Sequence, residues 1–173
     1  MGTLFVVATP IGNLDDISLR ASKILSSVPT VLAEDTRKSR ILLDHIGAKS
    51  NLVAFHDHNK EKASPRVIGM LLDGVDVAII CDAGTPGIAD EAFYLVREAI
   101  RAGIPVVPIP GACAAVVALV CSGLPTDRFI FENFLPAKSA RRRRFFEEMK
   151  NEPRTVVFYE APFRVEKVLL EMK

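Results

Sequence analysis

The sequence predicts an α/β fold: a parallel sheet with flanking helices over residues 1–123, then the start of a second α/β domain over 124–173. Three observations predict it. Short apolar, β-rich runs alternate with stretches of helical spacing along the whole chain. Apart from Asp76, the runs at 75–81 and 104–110 are continuously apolar, as in strands covered on both faces. The alternation breaks at "SGLPTD" (122–127) and then restarts.

The first strand is "LFVVATP" (4–10). Ile17, Ala21, Ile24, Leu25 and Val28 recur at helical spacing and predict a helix over 17–28. "TVLAE" (30–34) is a second strand, and "TRKSRILLDHIG" (36–47) a helix with Thr36 as its cap and Gly47 as its stop. "NLVAF" (51–55), a helix over 60–73, "VDVAIIC" (75–81) and a helix over 88–102 follow in turn. The prolines of "IPVVPIP" (104–110) place that strand at an edge or an end of the sheet. "ACAAVVALVCSGL" (112–124) is almost wholly apolar and predicts a deeply buried helix. Beyond the break come a strand (128–136), a basic helix (138–151), a strand (154–162) and a helix (163–173). Two strands make a marginal sheet, so the second domain reads as incomplete.

Composition bounds the class. Of 173 residues, 49% are hydrophobic and 25% charged, enough for a core and ordinary for a globular protein. The net charge of +1 directs attention to local clusters. No apolar run reaches the ~20 residues of a membrane span, so no membrane is expected. "MGTLFVVATPIGN" reads as a first strand and not as a leader; Val6 stands where a myristoylation signal needs Ser or Thr. Three cysteines without C-x-x-C spacing argue against disulfides and a cysteine zinc site and for a reducing, cytoplasmic setting.

A parallel sheet binds ligands beyond the carboxyl ends of its strands. Five loops fall there: "ATPIGN", "AEDTR", "FHDHN", "CDAGTPGIAD" and "PIPGACA". In the fourth, Gly84 and Gly87 remove side chains where something comes close, Thr85 offers a hydroxyl, and Pro86 stiffens the turn. The loop matches neither a P-loop nor G-x-G-x-x-G, and an ordinary strand–helix turn explains its glycines too. Gly111 repeats the device, with tight helix–strand packing as the alternative. Glu34, Asp35 and Asp82 are candidate bases, although acids also suit a helix start. His56 and His58 lack a third ligand, so no metal is expected. "KSARRRR" (138–144) holds five cations in seven residues, either a solvated face or a phosphate-binding one.

Together "LFVVATPIGNLDDIS", "VLAEDTR", "FHDHN", "CDAGTPGIAD", "PIPGACAAVVAL", "FLPAKSARRRR" and "FYEAPFR" resemble the tetrapyrrole methylase superfamily, and within it the ribosomal RNA small subunit methyltransferase I branch. The resemblance implies two α/β domains with S-adenosyl-L-methionine in the cleft between them, and a homodimer. It implies 2′-O-ribose methylation of a cytidine in 16S ribosomal RNA of the small subunit. By the family pattern, Pro10, Gly84, Thr85, Pro86, Gly87, Ile88, Gly111, Cys113 and Ala114 lie along the cofactor. Phe158 and Tyr159 close its site from the second domain.

The branch usually reads D-P-G where this chain has "ADEA", and P-G-P-S-A where it has "PGACA". The branch also continues beyond the position of Lys173, so the sequence reads as a fragment. Arg37, Lys138, Arg141, Arg142, Arg143 and Arg144 are the candidate RNA contacts, holding phosphates without reading sequence. Two other readings remain: a methyltransferase of the same fold acting on a tetrapyrrole or other small molecule, and a non-catalytic RNA-binding fragment.

Overall fold

The computed structural model describes residues 1–172; the last residue of the helix expected over 163–173 lies outside them. The chain divides into two compact units, Met1–Cys113 and Ala114–Lys173. The division falls before the apolar helix that sequence reading assigns to the first domain.

The first unit carries five parallel strands: β1 (Leu4–Val7), β2 (Thr30–Ala33), β3 (Asn51–Ala54), β4 (Val77–Ile79) and β5 (Val106–Ile109). Their order is β3-β2-β4-β1-β5. The proline-bearing strand β5 is an edge, where Pro108 breaks no central ladder. It is only partly buried, unlike β4, which is buried throughout.

This unit also has four α-helices, α1 (Leu19–Ser27), α2 (Thr36–His45), α3 (Lys60–Leu72) and α4 (Ala92–Arg101), and a 3-10 turn at Leu14–Asp16. Successive strand residues face opposite sides of a sheet, and here they feed two cores. Val7, Val31, Ala33, Ala78 and Ile109 pack with Ala21 and Leu25 of α1 and Leu42 and Leu43 of α2. Leu4, Leu32, Val77 and Ile79 pack with Val67 and Leu71 of α3 and Leu95 and Ala99 of α4. Helices therefore cover both faces, as the alternation predicts.

Local chemistry sets the helix starts. The Ser18 hydroxyl accepts the Ala21 N–H at 3.0 Å and caps α1. For α2 the cap is Asp35 and not Thr36: its carboxylate accepts the Arg37 N–H at 2.9 Å. The helix expected from residue 88 begins at Ala92 because Gly87 (φ 90°) and Ala89 (φ 67°) are left-handed. Asp90 closes that turn by accepting the N–H groups of Gly87 and Ala92, both at 2.8 Å.

The second unit holds α5 (Ala114–Cys121), β6 (Phe129–Phe134), α6 (Ser139–Met149), β7 (Thr155–Tyr159) and α7 (Val165–Glu171). Strands β6 and β7 form a two-stranded parallel sheet, with a register shift between Phe131 and Phe134. Asn133, at φ 55°, lies within that irregular stretch. The expected deep burial of α5 is not observed. Only Ala115 and Leu119 are buried, while Val116, Val117 and Val120 are exposed. The helix packs one face against β7, and an all-apolar sequence does not reveal which face that is.

Candidate functional site

The chain reverses direction across the sheet between β1 and β4. From β1 it runs through β2 to β3; from β4 it crosses to β5 on the other side of β1. A crevice at the carboxyl ends of adjacent strands with opposed connections is the ligand position of such sheets.

The loops there are pinned together. Thr9 and Gly84 pair their backbones, with N–H to oxygen distances of 2.8 and 3.1 Å. The buried Thr9 hydroxyl donates to the Cys81 carbonyl at 3.3 Å. The Thr85 hydroxyl donates to the Ala112 carbonyl at 2.9 Å. The strand ends β1, β4 and β5 therefore present one joined rim that includes Pro10, Gly84, Thr85, Pro86, Gly87, Ile88, Gly111 and Cys113.

Two glycines serve the joint itself. Gly84 has φ +86°, and a Cβ there would stand 3.4 Å from Ile11 Cγ2 and 3.6 Å from the Ala112 oxygen. A Cβ on Gly111 would stand 2.8 Å from Ala8 Cβ, so its bare backbone lets the β5 loop lie against β1. Gly87 and Ile88 are exposed.

The acidic candidates lie at the ends of β2 and β4. Asp82 accepts the Asp35 N–H at 3.1 Å and the Lys38 ammonium at 2.6 Å. Asp35 is held by two guanidinium bonds from Arg37, at 3.0 and 2.8 Å, and these bonds hold its carboxyl well below the usual range. Burial, reinforced by Asp82 and then Asp90, pushes Glu34 up. Burial also raises Asp90, whose Oδ2 is buried without a hydrogen-bond partner. The Cys81 thiol, buried and near Asp90, is pushed up to about 12 and stays protonated at neutral pH.

Beside this acid cluster is a cavity of about 320 Å³. It lies between the loop carrying Pro10, Ile11 and Leu14, the α2 residues Lys38, Ser39, Ile41 and Leu42, and Asp82. Sequence reading missed Lys38, Ser39 and Asp90. The first two follow the acidic pair within one helical turn, which is the signal that was available. His56 and His58 sit 6.0 Å apart, ring to ring.

In the second unit the basic run is divided by its helix. Arg142 is turned inward, 2% exposed. It donates to Glu171 at 2.7 and 2.8 Å and to the carbonyls of Pro136 and Ala137 at 2.8 and 3.2 Å. Four of its five N–H donors are so engaged and the side chain is buried, which removes Arg142 from the RNA contacts expected of it. Arg144 pairs with Glu148 at 2.8 Å. Lys138, Arg141 and Arg143 are exposed and carry no ion pair among the described residues.

Tyr159, on β7, accepts the Ala115 N–H at 3.2 Å and packs edge-on against Phe131, 5.0 Å between centroids. Phe158 lines a cavity of about 480 Å³ with Phe146, Met149, Val156 and Arg143. Ala114 opens α5.

These features define an α/β protein with a ligand rim at the carboxyl ends of a parallel sheet, and the chain belongs to the Tetrapyrrole (Corrin/Porphyrin) Methylases family, whose model matches residues 3–173. Among curated relatives it is 56% identical to the ribosomal RNA small subunit methyltransferase I of Pseudomonas aeruginosa, over 99% of this chain and 61% of that protein. The chain spans about three fifths of the length of the curated relatives it matches. Among solved structures, a diphthine synthase matches with TM-score 0.72 at 18% identity, over 99% of this chain and 72% of the other. A uroporphyrin-III C-methyl transferase from Thermus thermophilus, complexed with S-adenyl homocysteine, matches with TM-score 0.63 at 20% identity. It covers all of this chain, which covers 78% of it. These structural likenesses show the fold.

Proposed function

We propose that the full-length protein transfers a methyl group from S-adenosyl-L-methionine to the ribose 2′-hydroxyl of a cytidine in small-subunit ribosomal RNA. The observation that carries this reading is the 56% identity, over 99% of the chain, to a protein named for ribosomal RNA methylation.

The rim fits the cofactor's chemistry. The exposed backbone at Gly87 and the half-exposed Ile88 offer an open ledge beside the Thr85 loop. A fold relative that holds S-adenyl homocysteine supports the same cofactor class.

When bound, the cofactor supplies an electrophilic methyl group and its own leaving group. The protein then has to position the hydroxyl and take its proton. Asp82 is the carboxylate we assign to receive it. Asp35 is committed to Arg37 and to the α2 cap, and Glu34 does not line the cavity beside the rim, whereas Asp82 does. Lys38 holds Asp82 in place, 2.6 Å away. Lys138, Arg141 and Arg143 hold phosphates, which fixes register without reading sequence.

The test is calorimetric titration of the full-length protein with S-adenosyl-L-methionine, followed by RNA affinity at several salt concentrations. One-to-one cofactor binding and an RNA affinity that falls steeply with salt are expected. Cofactor binding with no affinity for RNA would move the protein to small-molecule methylation.

A further inference from the structure

We propose that the free edge of β3 and the hollow beside it form a docking surface for an extended acidic peptide, which adds a further strand to the sheet. The partner is a protein segment and not RNA, so this surface stands apart from the reaction proposed above.

The two edges of the sheet differ. On β5 the odd-numbered residues face β1, since the Pro105 and Ile109 carbonyls accept the Leu4 and Ala8 N–H groups at 2.9 and 3.1 Å. Pro108 therefore stands at an outward position and offers no donor there, a common guard against strand addition. Strand β3 has no such guard: "NLVA" holds neither proline nor charge. Its odd-numbered residues face β2, because the Asn51 and Phe55 N–H groups donate to Pro29 and Ala33 at 3.0 and 2.8 Å. The strand period turns the N–H and C=O of Leu52 and the N–H of Ala54 outward. The Ala54 carbonyl is taken by the Asn59 amide at 2.9 Å, which sets where the open edge ends.

Side chains beside that edge select the partner. On the α3 side of the sheet a hollow of about 340 Å³ has Leu32, Val53, Val67 and Met70 among its walls. Lys62 and Arg66, one helical turn apart on α3, line it too. Both are exposed, and neither has an ion pair among the described residues. A strand laid on β3 sends every second side chain to this face. The pattern acid–x–apolar–x–acid then puts one apolar group in the hollow and carboxylates against the two cations. Strand addition takes its affinity from main-chain bonds and its specificity from such pockets. Other occupants match fewer of these features. RNA has no row of amides for the edge. A fatty acid fits the hollow and a cation but leaves Leu52 unpaired. A second copy pairing through its own β3 brings no acid to Lys62 or Arg66.

The test uses full-length protein and the probe acetyl-Thr-Glu-Thr-Phe-Thr-Glu-Thr-amide, read by calorimetry and by amide hydrogen exchange. The peptide should bind, protect the Leu52 and Ala54 amides, and lose affinity as salt rises. Lys62→Ser with Arg66→Ser should weaken binding about three- to tenfold, the worth of two exposed ion pairs. Melting temperature and S-adenosyl-L-methionine affinity should not change. Replacing both Glu of the peptide by Lys, or N-methylating its alternate amides, should abolish binding. Equal binding of the N-methylated peptide, or equal binding by the double variant, overturns the surface. So does a Leu52 amide already protected in the free protein, which would mean that another segment or a second copy covers the edge. If the peptide fails and dodecanoate or an oligouridylate binds through Lys62 and Arg66, the surface belongs to that ligand and the proposal falls.

Discussion

Thr9 and Gly84 exchange two backbone hydrogen bonds, at 2.8 and 3.1 Å, across the carboxyl ends of β1 and β4. The bridge joins two segments 75 residues apart in sequence and fixes the spacing of the crevice walls. Gly84 makes it with φ +86°, which a β-branched residue rarely adopts. Gly84→Val therefore strains the backbone and presses on Ile11, at a cost of about 1–3 kcal/mol. We expect a lower unfolding midpoint together with loss of cofactor binding. Calorimetry beside a thermal melt checks both, and retained binding would detach this loop from the cofactor.

The basic helix has an inner and an outer role. Arg142→Ala breaks a buried ion pair and strands the carbonyls of Pro136 and Ala137, so it should destabilise the protein by about 3 kcal/mol. Arg141→Ser with Arg143→Ser should leave folding within about 0.5 kcal/mol. The double variant should also flatten the salt dependence of RNA affinity by about one to two counterions. Denaturant melts and binding at graded salt separate the two roles. An unchanged slope would make the outer arginines a plain solvated face.

Asp35 and Asp82 differ in what they are free to do. Asn caps helices about as well as Asp, so Asp35→Asn should change stability by less than about 1 kcal/mol and spare turnover. Asp82→Asn should lower kcat by about 10²-fold or more with cofactor affinity intact, as removal of a proton acceptor does. Single-turnover methylation by the two variants decides this; equal loss in both would point to a structural role for the whole cluster.

Asp90 makes the protein prefer acid. Burial raises its carboxyl above the ordinary 3.8 in the native state. The folded form then binds the proton more tightly than the unfolded form. Its stabilising contribution is full below that ordinary value and is lost as pH rises through the native one. Asp90→Asn keeps an oxygen for the N–H groups of Gly87 and Ala92 and has nothing to titrate. Its stability relative to wild type should improve from pH 3.5 to pH 7, as read from urea midpoints. A relative decline over that range would contradict the assignment.

Much of the fold was legible because it rests on periodicity. Val7, Val31 and Ile79 lie in apolar runs too short for helices, and Leu42 and Leu43 repeat with Ser39 at helical spacing. The prolines of 104–110 left an edge or an end position for β5, and it is an edge. What failed was a matter of facing. An all-apolar α5 carries no amphipathic stripe, so its exposed valines looked like core. "RRRR" gives no sign that Arg142 alone turns inward; that depends on Glu171, 29 residues away. The start of α4 slipped because Ala89 adopts a left-handed conformation that its sequence does not announce. At the site, the loops were visible as glycine-rich strand ends. Lys38 and Ser39 follow the acidic pair within one helical turn, but the sequence does not show that they line the same cavity as the 10–14 loop.

The most direct measurement is methyl transfer by the full-length protein from labelled S-adenosyl-L-methionine to unmodified small ribosomal subunits, with the product mapped by nucleoside analysis. The account predicts label on the ribose oxygen of a cytidine, dependent on Asp82. Label on a base, label only on a small molecule, or no transfer by a protein that binds the cofactor would contradict it.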